Sequence, residues 1–291
     1  MTATAMESID LVFPETLAEA LTLMADENTR GLPLAGGTDM MVQWESGVRP
    51  PPARAIDIKS LPELRELSEV DGRVIIGAAV THAQLRNSPI IQRAIPALAE
   101  AAATVGGGQI QAMGTLAGSI ANASPAGDLA PTLLASDAEV VVASAARGER
   151  TLTLQSFLLG YRKINLSEDE LIVRFLVPAK GEGEKEKFRK LGPRAAQAIS
   201  KIMGSYRGAL NDNGSIAHFK VALGSVAPTA IRLPKVEEFL TGRVLDTETI
   251  AEAERLAADS VQPINDIRST ADYRKWVSGR IVGYFLEHLR K

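Results

Sequence analysis

The 291-residue chain contains no cysteine. It therefore forms no disulfide, has no thiolate nucleophile and offers no sulfur ligand to zinc or to an iron–sulfur cluster, so any such cluster belongs to a partner. It also lacks a surplus of basic charge. Lys and Arg number 32 against 35 Asp and Glu, and the net charge of −3 argues against a nucleic-acid-binding protein on bulk electrostatics. The three histidines, His82, His218 and His288, are scattered without metal-site spacing such as HExxH and read as capping, surface or packing residues. No stretch approaches the roughly 20 apolar residues that cross a bilayer, and MTATAMESIDLVFPET has no basic region followed by an apolar one, so the chain reads as cytoplasmic. The phosphate-binding pattern GxxxxGK[ST] is missing, and no GxGxxG follows the first strand. No Ser-His-Asp or paired-carboxylate constellation emerges either.

What is present is material for a large core. Hydrophobic residues make up 45% and charged residues 23%, the balance of a globular protein, and the length exceeds that of a single core, so two domains are expected. IDLVF opens as a strand. PETLAEAL then starts a helix, with Thr16 and Glu19 spaced as a capping box before Leu17, Leu21 and Met24. LPLA is a second strand, and Ile56 and Ile58 begin another after a proline-rich crossing, giving a parallel strand-helix-strand unit over about the first 60 residues. GRVIIGAAVTHAQL reads as a strand turning into a helix capped by Thr81, IPALAEAAATVG as an Ala-rich helix, and AEVVVAS as a buried strand. PAKGEGEKEKFRK, residues 178 to 190, is charged and without apolar period, which marks a domain boundary. Beyond it, AISKIMGSYRGAL and SIAHFKVALGSV flank Asn211-Asp212-Asn213-Gly214 as two strands of an antiparallel hairpin, and three helical segments follow. Trp44 and Trp276 sit among apolar neighbours as core or interface anchors.

Two stretches are rich in small residues. LPLAGGTDMMVQ places Gly36-Gly37 between two apolar segments, and GTLAGSIANASPAGDLAP packs glycine, alanine and serine around Leu116 and Ile120. Glycine leaves backbone N–H groups sterically open, so such a loop either makes a tight turn or cradles phosphate without lysine or metal. Two such loops in one chain point to an elongated ligand between them.

The paired motifs AGGTDM (35 to 40) and GTLAGSIANASPAGDLAP (114 to 131) resemble the FAD-binding subunit of the molybdenum hydroxylases, the group that includes xanthine dehydrogenase and carbon monoxide dehydrogenase. The resemblance extends to FPETLAEAL, IDIKSLPEL and LGSVAPTAIRLPKVEEFLTG, nearly the full length. It implies an α+β fold. A FAD-binding domain of the vanillyl-alcohol-oxidase/MurB-like (PCMH) type would span 1–178, in subdomains of about 1–58 and 59–178, followed by a linker at 179–187. A C-terminal domain of the carbon monoxide dehydrogenase flavoprotein type, an antiparallel sheet with packed helices, would span 188–291. It also implies non-covalent FAD. Ala35, Gly36, Gly37, Thr38, Asp39 and Met40 would wrap the pyrophosphate, with the Asp39 carboxylate turned away from it. Thr115, Gly118, Ser119 and Asn122 would serve the pyrophosphate and flavin side. Val105 and Gly106 would lie beside the flavin, and Ile172 near the adenine.

Asp128 would accept hydrogen bonds from ribose or backbone, or else cap the helix that follows. Lys190 matches a family lysine whose charge favours the reduced, anionic flavin, or else is a solvated boundary lysine. The sequence departs from the family's RNxxTIGGN, reading QAMGTLAGS, with Gln111, Ala112, Ala117 and Ser119 at the altered positions.

The resemblance makes the chain a cytoplasmic FAD-dependent oxidoreductase subunit of a heterotrimer. Its iron–sulfur partner would carry two 2Fe-2S clusters and another partner molybdopterin, with electrons leaving to NAD⁺ or another acceptor and dimerisation of the heterotrimer open. A stand-alone flavin reductase or oxidase of MurB type, or a flavin-free scaffold, are the alternatives.

Overall fold

The computed structural model describes residues 9–291, and the first eight residues, on which the reading of the N-terminus partly rests, lie outside it. Strand β1 (Asp10–Val12), helix α1 (Leu17–Ala25), β2 (Leu32–Leu34), α2 (Met40–Glu45) and β3 (Arg54–Asp57) form a small parallel unit with β3 in the middle. Thr16 caps α1 through the Glu19 amide at 3.1 Å, but the Glu19 carboxylate returns to the Glu15 amide rather than to that of Thr16. The box thus closes one residue early.

The second unit runs β4 (Leu67–Val70), β5 (Arg73–Gly77), then six short helices: α3 (His82–Asn87), α4 (Pro89–Ala94), α5 (Pro96–Ala103), α6 (Gly108–Met113), α7 (Leu116–Ala121) and α8 (Ala130–Ala135). It continues with β6 (Glu139–Ser144), β7 (Gly148–Thr153), the turn α9 (Leu154–Phe157), the hairpin β8 (Leu158–Gly160) and β9 (Lys163–Ile164), and β10 (Leu171–Pro178). The larger sheet has the order β4-β5-β10-β6-β7, antiparallel throughout. Helices cover it, so β6 is buried along nearly its whole length and AEVVVAS shows no alternation. Thr81 closes a complete capping box with Gln84 at the start of α3.

The third unit is the antiparallel sheet β11 (Lys185–Leu191), β12 (Ile202–Leu210), β13 (Ile216–Gly224) and β14 (Ile231–Arg232), backed by α10 (Pro234–Leu240), α11 (Thr247–Asp259) and α12 (Ala271–Arg290). Gly214 at φ +79° turns the β12–β13 hairpin. The charged stretch is regular strand from Lys185 onward. Its inward period of two is carried by Glu186 and Phe188, and Glu186 is hidden as an apolar position because it pairs with buried Arg207. β11 is an edge strand whose Phe188 amide donates 3.0 Å to the Glu100 carboxylate of α5.

Each half has its own core, one around Leu98, Leu133, Val142 and Phe175 and another around Tyr206, Phe219, Val282 and Phe285. Ion pairs cross between them: Lys187–Glu100 at 2.7 Å, Lys190–Asp128 at 2.6 Å, Arg232–Asp137 at 2.6 Å and Lys220–Asp137. Trp44 is buried as expected of a core anchor, whereas Trp276 is 63% exposed. Among the described residues no helix is long and apolar enough to cross a membrane.

Candidate functional site

The first glycine loop joins β2 to α2, and the second runs from the end of α6 through α7 to α8. They meet backbone to backbone. A Cβ added at Gly36 would fall 1.9 Å from the Met113 carbonyl oxygen and 2.9 Å from Gly114 Cα, so only glycine lets the loops approach this closely. Gly37 at φ +67° then reverses the chain into α2. The consequence is a run of free donors. The backbone amides of residues 36 to 40 find no protein acceptor among the described residues, while the first bond back into the turn is Met41 N–H to Gly37 C=O at 2.9 Å. Consecutive unpartnered amides form a concavity for an anion. Asp39 is exposed and its carboxylate takes the Gln43 side-chain amide, and Thr38 and Met40 are half-buried beside it.

The second loop is fixed from below. His82 N–H donates to Gly114 C=O and Leu116 N–H to Val80 C=O, both at 3.0 Å, an antiparallel bridge centred on Thr81 and Thr115. Thr115 caps α7, its hydroxyl accepting from Gly118 N–H at 3.0 Å. Gly118 is exposed and Ser119 half-buried; Asn122 ends the helix. Ala117 takes the family's glycine position with a negative φ, inside α7 and 7% exposed. Gln111, the other departure, is buried, accepting from Arg86 and donating to Ala103 C=O, each at 3.1 Å. A cavity of about 10 Å³, room for about one water, lies between Ser119, Ser124 and Gly127 on one side and Thr229 and Ala230 on the other.

Asp128 does not cap α8, whose N-cap is Leu129. Its buried carboxylate instead accepts from Lys190 Nζ at 2.6 Å and from Ser200 Oγ at 2.7 Å. Burial pushes this carboxyl above its ordinary range, against the pull of Lys190. Lys190 is likewise no solvated lysine: only 10% of its side chain is exposed, and Nζ donates 3.0 Å to Thr104 C=O, next to Val105 and Gly106. Gly106 has φ +53°. The structure thus gathers 104–106, 128 and 190 at one seam between the two halves. Ile172 stands apart within β10 in the sheet core.

Sequence reasoning missed Ser200, Thr104 and Met113. A serine ahead of an alternating strand and a threonine at a helix end carry no local signal, and Met113 acts through its backbone. His82, read as a capping, surface or packing residue, is a packing one: its ring lies against Gly114, its Nδ1 is buried without a partner, and burial lowers its pKa to about 4.

Comparison with known proteins follows this geometry. The FAD binding domain in molybdopterin dehydrogenase matches residues 7–180, and the CO dehydrogenase flavoprotein C-terminal domain matches residues 187–289. The carbon monoxide dehydrogenase medium chain of Hydrogenophaga pseudoflava is 32% identical over 274 residues, covering 92% of each chain. The xanthine dehydrogenase FAD-binding subunit of Escherichia coli O157:H7 is 33% identical over 261 residues, covering 89% of this chain and 88% of its own. The solved carbon monoxide dehydrogenase from Hydrogenophaga pseudoflava, in the form lacking the Mo-pyranopterin moiety of the molybdenum cofactor, superposes with a TM-score of 0.89 at 30% identity over 95% of each chain.

Proposed function

The chain belongs to the FAD-binding subunits of the molybdenum hydroxylase family, and from that premise we propose that it is the electron-transfer flavoprotein subunit of a heteromeric complex. Iron–sulfur clusters and molybdopterin reside on partner subunits, a division consistent with a chain that has no cysteine. Electrons pass from the clusters to FAD and on to NAD⁺ or another acceptor, in the cytoplasm.

The observation that carries this reading is the run of unpartnered amides at 36 to 40, held against the second loop by the Gly36–Met113 contact. Those residues fit an anionic diphosphate. When bound, FAD supplies acceptance of an electron pair and its release; the chain binds, orients and shields it. Ala35, Gly36, Gly37, Thr38, Asp39 and Met40 hold the diphosphate mainly through backbone N–H groups. The first turn of α7, with buried Thr115, exposed Gly118 and half-buried Ser119, and Asn122 at its end, closes the other side. Val105, Gly106, Asp128 and Lys190 line the seam where the ring system sits, and Ile172 supports the adenine end. Lys190 reaches that seam with its charge already balanced by Asp128, so the pair presents fixed hydrogen-bonding groups in a site of low net charge.

The test is a visible absorption spectrum of the purified chain, followed by heat release and identification of the cofactor. Released FAD supports the reading. A colourless chain that takes up no FAD, either alone or co-produced with its partner subunits, overturns it in favour of a scaffold.

A further inference from the structure

Among the described residues, three side-chain-bearing positions with positive φ gather at the second glycine loop. Ala123 at φ +44° follows α7, Arg162 at φ +54° donates its N–H to Ala123 C=O at 3.2 Å, and Ser225 at φ +65° donates its N–H to Pro125 C=O at 2.7 Å. Side chains disfavour this left-handed region, so a residue persists there only where its surroundings over-determine it, and such residues cluster where a site is shaped. Of the three, Ser225 reaches the loop from the C-terminal half. It follows β13 and is buried.

Ser225 is held from behind as well. Arg274 of α12, buried itself, donates to Ser225 C=O at 3.3 Å and is anchored on the Asp266 carboxylate at 2.7 Å. The Ser225 hydroxyl donates to Ser200 C=O at 3.4 Å, a longer bond than the amide makes to Pro125. Ser200 is wholly buried, and its own hydroxyl donates 2.7 Å to Asp128 Oδ1, while Asp128 Oδ2 takes Lys190 Nζ. The bonds close a ring. Ser225 grips the chain three residues ahead of Asp128 and also backs the residue that holds the Asp128 side chain. Burial pushes the Asp128 carboxyl above its ordinary range, and Ser200 is among the groups that pull it back by favouring the carboxylate. That balance decides how much of the Lys190 charge stays uncompensated beside residues 104–106.

We propose that Ser200 and Ser225 are positioning residues of the C-terminal half: by fixing the Asp128 carboxylate against Lys190 they set the charge that the flavin ring meets, and with it the reduction potential. The inference rests on the reading that FAD lies at this seam. Loss of the Ser200 hydroxyl weakens the carboxylate form of Asp128, leaves more of the Lys190 charge uncompensated and favours the reduced, anionic flavin, so the potential moves upward. Both serines act through Asp128 and neither has to touch the cofactor.

The experiment is a spectroelectrochemical titration of the full chain with bound FAD, comparing the wild type with Ser200→Ala, Ser225→Val, and Ser200→Ala in a Lys190→Met background. A hydrogen bond to a charged group is worth about tenfold or more in an equilibrium constant. Ser200→Ala should therefore raise the ratio of reduced to oxidised flavin at a given potential about tenfold, an upward shift of about 30 mV for the two-electron couple. Ser225→Val, whose branched side chain resists the left-handed backbone, should shift it in the same direction. In the Lys190→Met background, Ser200→Ala should add nothing, a dependence that a serine serving only to pack would not show. Ser200→Ala at the wild-type potential overturns the proposal, and so does an equal shift with and without Lys190. The two Ser200 arms remove a single hydroxyl and decide the matter even where Ser225→Val fails to fold. A wild-type chain that takes up no FAD overturns the flavin reading itself, and this inference with it.

Discussion

Gly36 has room for a hydrogen and no more. In Gly36→Ala the new methyl would sit 1.9 Å from the Met113 carbonyl oxygen, so the loops must separate. Overpacking of this kind costs about 1–3 kcal/mol, and because the displaced backbone carries the free amides, FAD affinity should fall by about tenfold or more alongside stability. Titration by flavin fluorescence quenching measures it; unchanged affinity would show that the loop contact does not shape the site. His82 makes a second prediction. Its buried ring is neutral in the fold, with a pKa lowered to about 4 from 6.5, while the unfolded chain takes up the proton below 6.5. The folded state is therefore undiminished above pH 6.5 and loses about 3 kcal/mol as pH falls to 4. Urea unfolding across that range should show this slope, and His82→Gln should flatten it. The close approach at Gly36 was legible because it is steric and local, and the packing of His82 was among the roles its isolation allowed; the bonds of Ser200 and Thr104 were not legible, because they arise from long-range neighbours.

At the scale of elements, α7 depends on its cap. Thr115→Ala leaves the Gly118 amide without its acceptor and should cost about 1 kcal/mol, concentrated in α7 and visible as faster amide exchange there than in α5. In the third unit, Glu186→Gln leaves Arg207 with an unbalanced buried charge. Breaking such a pair costs about 3–5 kcal/mol, whereas replacing both partners by apolar residues costs less. Thermal unfolding of the single and double variants decides this; a single variant as stable as the wild type would contradict the burial argument. These elements show where sequence reading succeeds. The β12–β13 hairpin, α1 and β6 were legible because turn residues, caps and apolar runs act locally. The strand in KEKFRK was hidden by a buried carboxylate standing where an apolar residue is expected, and the Thr16 box closed on Glu15 because spacing alone does not say which amide is nearer. Asp128 was readable as a helix cap or as a ligand, and neither reading could foresee its bond to a serine 72 residues away.

Across the whole molecule, two cores are joined by a charged seam that also borders the proposed cofactor site. FAD bound at that seam should stabilise both halves together. At 100 times its dissociation constant it adds about 2.7 kcal/mol, and calorimetry should show one transition moving upward rather than one half alone. A shift confined to the N-terminal half would mean that the ligand touches only that side. The same seam settles where the chain can be divided. β11 forms the outer rail of the C-terminal sheet, and its exposed side is stopped by the Glu100 carboxylate from the other half. A fragment begun at the charged stretch would carry this rail uncovered, and a naked strand edge templates self-association. The cut that composition recommends would yield a sticky fragment, so the acidic tooth at Glu100 serves the chain as a guard against its own polymerisation.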